Sequence, residues 1–121
     1  MDKLYIWKIN GLELELDMED ADTAERYSSA VRILAEADEI RNKDIDYPSA
    51  IRQYCAVFRK FYDFLFGDGT SEKIFDGIKD NTRKYDAVYD SLISFISKQC
   101  EVSCNRMDEI TKRYAPKKAK K

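Results

Sequence analysis

From Asn81 to Tyr114 the chain contains neither glycine nor proline. Apolar residues recur there at the spacing of one helix face, through Tyr85, Tyr89, Leu92, Ile96, Cys100, Met107, Ile110 and Tyr114. At 1.5 Å per residue such a helix is roughly 50 Å long, beyond the ~30 Å diameter of a small domain. Its far end must therefore project or bend. Gln99 and Ser103 sit within the stripe and interrupt it, so Cys100 to Cys104 is where the helix is expected to leave its own core or break.

What precedes this rod begins as a hairpin. Asn10-Gly11 separates Lys3-Leu4-Tyr5-Ile6-Trp7-Lys8-Ile9 from Leu12-Glu13-Leu14-Glu15-Leu16, and Asn-Gly supplies the two positive φ angles of a type I′ turn. That turn sets Ile9 against Leu12, Lys8 against Glu13, Trp7 against Leu14 and Tyr5 against Leu16. The resulting apolar face cannot be buried by a two-stranded ribbon alone and needs helices over it.

The period then becomes helical through Tyr27, Val31, Leu34, Ala37 and Ile40, with Asp20 or Asp22 as cap, and this first helix is expected to reach about Arg41. Pro48 suits the first turn of a second helix. Ile51, Tyr54, Cys55, Phe58, Phe61, Tyr62 and Leu65 line one face of it, and Ala50, Val57 and Phe64 widen the apolar arc to roughly 200°. A helix so apolar is either central to the core or also touches a partner. Gly67-Asp68-Gly69 turns the chain, Thr70 or Ser71 caps a short helix, and Gly77 ends it. The expected fold is thus mainly α with a small β part (α+β). An N-terminal hairpin leads into three main helices and one short one, in a single domain over residues 1–115. Residues 116–121 form a disordered lysine-rich tail.

Charge narrows the partners. The formal net charge is -2, but Pro116 to Lys121 contain four lysines, and without them 17 basic residues face 23 acidic ones. A body at -6 repels nucleic acid, so a DNA-binding role would depend on the terminal lysines. That tail is a solubilising end or a binding arm. Three cysteines, Cys55, Cys100 and Cys104, do not make the disulfide framework of a secreted miniprotein, and a reducing cytoplasm fits them better. Neither a secretory core nor a membrane-spanning run is present in the sequence.

Catalytic chemistry is poorly supplied. The absence of histidine removes the commonest general acid/base near neutral pH and the commonest zinc ligand. Cys100 and Cys104 lie one helical turn apart, but tetrahedral zinc wants four ligands and only Cys55 remains as a further thiolate; all three read as small core residues. Gly67-Asp68-Gly69-Thr70-Ser71-Glu72-Lys73 lacks the Gly-Lys-Ser/Thr ending of a phosphate-binding loop and follows a helix, so capping explains it. Glu13, Glu15, Asp17, Glu19, Asp20 and Asp22 do not match a calcium loop and read as a solvated strand edge and helix start. The chain is read as non-enzymatic, without metal or cofactor.

Two segments carry a resemblance. Leu4-Tyr5-Ile6-Trp7-Lys8-Ile9-Asn10-Gly11 followed by Asp17-Met18-Glu19-Asp20-Ala21-Asp22-Thr23-Ala24-Glu25-Arg26-Tyr27 is the first, and the second runs from Phe61-Tyr62-Asp63-Phe64-Leu65-Phe66 to Ile74-Phe75. Together they resemble small uncharacterised proteins of phages and prophages of Gram-positive bacteria, some of which look like tail assembly chaperones. The resemblance covers residue 1 to about residue 100. It implies a cytoplasmic protein of the bacterial host that binds the tape-measure protein and keeps its hydrophobic helices soluble while tail-tube subunits are recruited. It also implies a longer form made by frameshifting, for which the codons of Lys117-Lys118 and Lys120-Lys121 are a candidate slippery run. Aromatics concentrate at interfaces. Phe61, Phe64 and Phe66, with Met107, Ile110 and Tyr114 at the far end of the last helix, are therefore the expected partner-contact residues. The unpaired hairpin edge and the overlong helix favour self-association. The competing reading is a small phage-encoded regulatory or nucleic-acid-binding protein that uses the basic tail.

Overall fold

The computed structural model of the chain describes residues 3–40 and 43–114. Asn10 and Gly11 adopt φ of 49° and 83°, and the turn joins strands β1 (Ile6–Ile9) and β2 (Leu12–Glu15) in the expected register. Ile9 faces Leu12, Lys8 faces Glu13 and Trp7 faces Leu14. Tyr5 lies instead in a 3₁₀ turn, Lys3–Tyr5, though its carbonyl still accepts the Leu16 amide at 2.9 Å. Among the described residues five helices follow: α1 (Ala21–Leu34), α2 (Glu36–Ile40), α3 (Tyr47–Phe66), α4 (Thr70–Ile74) and α5 (Thr82–Tyr114). The α+β architecture with a long last helix is the one read from the sequence.

α3 is the hub. Cys55, Val57, Phe58, Phe61, Tyr62 and Leu65 are buried along it, and α1, α2, α4 and α5 all pack on it. The wide apolar arc is thus explained by surrounding helices, save at its margin. The hairpin closes the remaining side: Trp7 and Leu16 are buried, while Ile9, Leu12 and Leu14 are half-buried against the same core. Trp7 stacks on Tyr62 and Phe66 with ring centroids 6.0 and 5.8 Å apart, and its indole N–H donates to Ser91 Oγ at 3.1 Å.

The first helix departs from expectation. It does not run unbroken toward Arg41, a residue outside those described. The Ala35 amide reaches back to the Arg32 carbonyl at 3.2 Å, three residues instead of four, and this tightened turn separates α1 from α2. Tyr27, Leu34 and Ile40 of the expected stripe do face inward, with one exchange. Ala30, not Val31, is fully enclosed, because a methyl side chain lets α1 approach α3 closely, and Val31 faces outward. Asp20 caps α1, its carboxylate accepting from the amide and the hydroxyl of Thr23 at 3.0 Å each.

α5 neither breaks nor bends out of helix near Cys100. Its buried face is Tyr85, Val88, Leu92, Ile96 and Gln99, whereas Cys100 and Cys104 are exposed. Gln99 is the reverse of an interruption. Its fully buried amide accepts from the Met18 backbone N–H at 2.8 Å and donates to the Leu16 carbonyl, fastening the end of the hairpin to α5. Two turns further on, the Arg106 guanidinium bonds both carboxylate oxygens of Glu19, and the Tyr5 hydroxyl donates to Glu19 Oε2 at 2.9 Å. From Cys104 to Arg113 every residue of α5 is exposed, so the helix end projects. The residues that follow Tyr114, including the expected lysine-rich tail, lie outside the described residues.

This outer tie has a pH signature. The Arg106 hydrogen bonds, followed by that of Tyr5, hold the Glu19 carboxyl down at about 2, against an ordinary value of 4.5. A depressed folded value means that the contribution is whole above 4.5 and is lost as pH falls through about 2. A carboxyl titration of Glu19 by NMR should therefore have its midpoint near 2. A midpoint at the ordinary value would show that the tie does not form in solution.

Candidate functional site

An open groove of about 710 Å³ lies between α2, the start of α3 and the start of α5. Local sequence builds each wall. The Ala35 break sets α2 beside α3, with Ala37 and Ile40 toward the groove. Pro48 in the first turn of α3 begins a helix that presents Ala50, Ile51, Tyr54 and Phe58. Asn81 Oδ1 accepts the Lys84 amide at 3.0 Å, and α5 starts in a register that brings Thr82, Asp86, Tyr89 and Asp90 to the third wall.

The floor is apolar, and the edge is acidic. Among the described residues Asp38, Asp86 and Asp90 line it, and Lys43 is the cation beside them. The Tyr54 hydroxyl donates to Asp86 Oδ1 at 2.6 Å and fixes that carboxylate at the edge. Burial pushes the Tyr89 hydroxyl up, so it is neutral at physiological pH. Tyr47, 76% exposed, stands at the mouth. An apolar trough with small residues in its walls and carboxylates along its edge suits the apolar face of an amphipathic helix flanked by basic side chains. Exposed aromatics of this kind are frequent anchors of such contacts.

The residues expected from sequence to make contacts are not gathered into one surface. Phe61 is fully buried, edge-on to Tyr27, Tyr62 and Tyr89, and so belongs to the core and not to an accessible face. Phe66 is half-buried under Trp7. Phe64 is 47% exposed, as are Met107 at 62% and Ile110 at 45% on the projecting end of α5. Tyr114 is the last helical residue, and its side chain lies outside those described. Phe64→Ser should leave the melting temperature nearly unchanged, costing less than about 1 kcal/mol as an exposed substitution. A drop of several kcal/mol in thermal melts would place Phe64 in the core instead.

The cysteines divide. Cys55 is buried, and burial pushes its thiol up to about 11, whereas Cys100 and Cys104 are exposed and not, as expected, core residues. Among the described residues no group of three or more Cys, Asp or Glu side chains is placed to hold a metal ion. Among them, too, no helix is long and apolar enough to cross a membrane.

Sequence periodicity did not single out the groove, whose walls come from three separated segments. The signals that could have found it are Asp86 and Asp90, one turn apart with Tyr89 between them, and Tyr47 preceding Pro48 at a helix start.

No curated protein and no solved structure matches the chain. A family model does match, over residues 10–121, from the hairpin turn through the groove to the C-terminal lysines. The protein therefore belongs to the Family of unknown function (DUF6673).

Proposed function

We propose that the protein is non-enzymatic and binds amphipathic helices of other proteins. In its fuller form, the proposal is a phage or prophage tail assembly chaperone in the host cytoplasm that shields helices of the tape-measure protein. The observation that carries helix binding is the groove itself: an apolar floor from Ile40, Ile51 and Phe58, an acidic edge, and Tyr47 exposed at its mouth. A long, helix-rich partner would present many apolar helix faces before assembly, and a groove of this type would cover them one segment at a time. The assignment to phage tails rests on the resemblance of the hairpin and of the Phe61–Phe75 segment described above.

The test is co-expression with a phage tape-measure protein. The wild-type chain should keep that partner in the soluble fraction, and Ala50→Trp, which fills the groove, should not. An insoluble partner in both cases would overturn the chaperone reading. Salt-sensitive binding to duplex DNA, abolished by removal of Pro116 to Lys121, would replace it with the regulatory one.

A further inference from the structure

We infer that Cys100, Cys104 and Met18 form a three-sulfur site for a soft monovalent metal ion of the Cu(I) class. The inference goes beyond helix binding and makes no use of the α2–α3–α5 groove. Two of the ligands stand on α5. Cys100 and Cys104 are free, exposed thiols, and their separation by four residues makes them neighbours on one helix face, with Cβ atoms about 5–6 Å apart. That spacing exceeds the roughly 3.5–4.5 Å that a disulfide needs, so the helix keeps the two thiols from closing on each other. A metal ion spans the gap, because two sulfurs bound to one ion at about 2.3 Å each sit up to about 4.6 Å apart.

The third sulfur comes from the end of the hairpin. Met18 and Glu19 line a recess of about 100 Å³ together with Gln99, Cys100, Ser103 and Cys104. Both flanks of that recess are tied down. On one side the Gln99 side chain accepts from the Met18 backbone N–H at 2.8 Å, and on the other the Arg106 guanidinium holds Glu19. The thiol pair lies between these two ties, facing a segment that is already fastened to α5.

Donor type selects the ion. Thiolate and thioether sulfur favour Cu(I) over hard cations, and such an ion is satisfied by two or three sulfurs, whereas structural zinc takes four ligands. Glu19, the carboxylate that lines the recess, is engaged by Arg106 and Tyr5. On binding, each thiol releases its proton to solvent, which leaves two thiolates and a neutral thioether around the ion. The ion would join the hairpin end to α5 and thereby stabilise the folded chain.

The experiment is an anaerobic titration of the reduced full chain with Cu(I) against a chromophoric Cu(I) chelator. One ion should bind per chain without changing its sedimentation, and X-ray absorption at the copper edge should report three sulfur neighbours. Met18→Leu should leave two sulfur neighbours and weaken binding by at least the roughly tenfold that even an outer-shell partner is worth. Cys100→Ser/Cys104→Ser should abolish binding with an unchanged circular dichroism spectrum, since both side chains are exposed and buried Cys55 remains in place. Cu(I) should raise the melting temperature of the wild type and not that of this double variant. Cys104→Ser/Asn105→Cys keeps the number of thiols but turns one of them about 100° around the helix, so it too should bind at least about tenfold more weakly.

Three results would overturn the inference: an affinity unchanged in the Asn105→Cys variant, which would make any two exposed thiols sufficient; a copper spectrum unchanged by Met18→Leu; or Cu(I) that binds only by linking two chains.

Discussion

Trp7→Ala is expected to destabilise the fold by about 3–5 kcal/mol, the range for removing a buried aromatic from a packed core. Trp7 is 2% exposed, its ring is stacked against both Tyr62 and Phe66, and its N–H is bonded to Ser91. The indole is therefore the point at which a two-stranded ribbon, marginal by itself, gains contact with α3 and α5 together. Truncation leaves a void between those helices and deprives Ser91 of its donor. For a small protein whose total stability is about 5–15 kcal/mol, urea denaturation should show a midpoint lowered by about a fifth or more. Trp7→Phe, which keeps a ring but loses the donor, should fall between. A loss below 1 kcal/mol for the alanine variant would mean that the hairpin does not pack on the helices as described.

Gln99→Leu should cost about 2–4 kcal/mol even though it places an apolar residue of similar size in a buried site. The Leu16 carbonyl would lose its donor and the Met18 amide its acceptor, each at about 1–3 kcal/mol when left unpaired and enclosed. Gln99→Glu separates the two bonds. An ionised carboxylate can accept from Met18 but repels the Leu16 oxygen, so this variant should be unstable at neutral pH and recover partly in mild acid, where the protonated carboxyl donates. Thermal melts at two pH values measure it. Equal stability of both variants and the wild type would show that the amide is not bonded to the backbone.

These two residues mark what a linear reading conveys. Trp7 was legible because the Asn10-Gly11 turn fixes the register, and a fixed register places every second residue on one face. α3, α4 and α5 and the start of α1 were legible largely from period, proline and glycine, whereas the break at Ala35 that makes α2 a separate helix was not. Gln99 was misread because polarity within an apolar stripe looks like a gap, and only the fold reveals that two backbone groups of the hairpin end wait there. The Ala30 contact was missed for the opposite reason: an alanine carries little weight in an apolar pattern, yet it is the smallest side chain that brings two helices together. The groove escaped notice because its floor is assembled from α2, α3 and α5, whose proximity follows from packing alone. Phe64, at the edge of the arc of α3, was placed correctly at the surface, and Phe61, three residues earlier, was not, since both lie within one broad apolar arc.

The long last helix also carries two different stabilities on one backbone. Up to Gln99 its amides are held by a packed interior, and they should exchange with deuterated solvent only when the whole protein opens. Beyond Ser103 the helix is exposed, and the Arg106–Glu19 tie fastens it to the end of the hairpin. Amide exchange should therefore slow in a step toward the interior, near that tie, and not fade evenly along the rod. Glu19→Gln should move the step back toward Gln99.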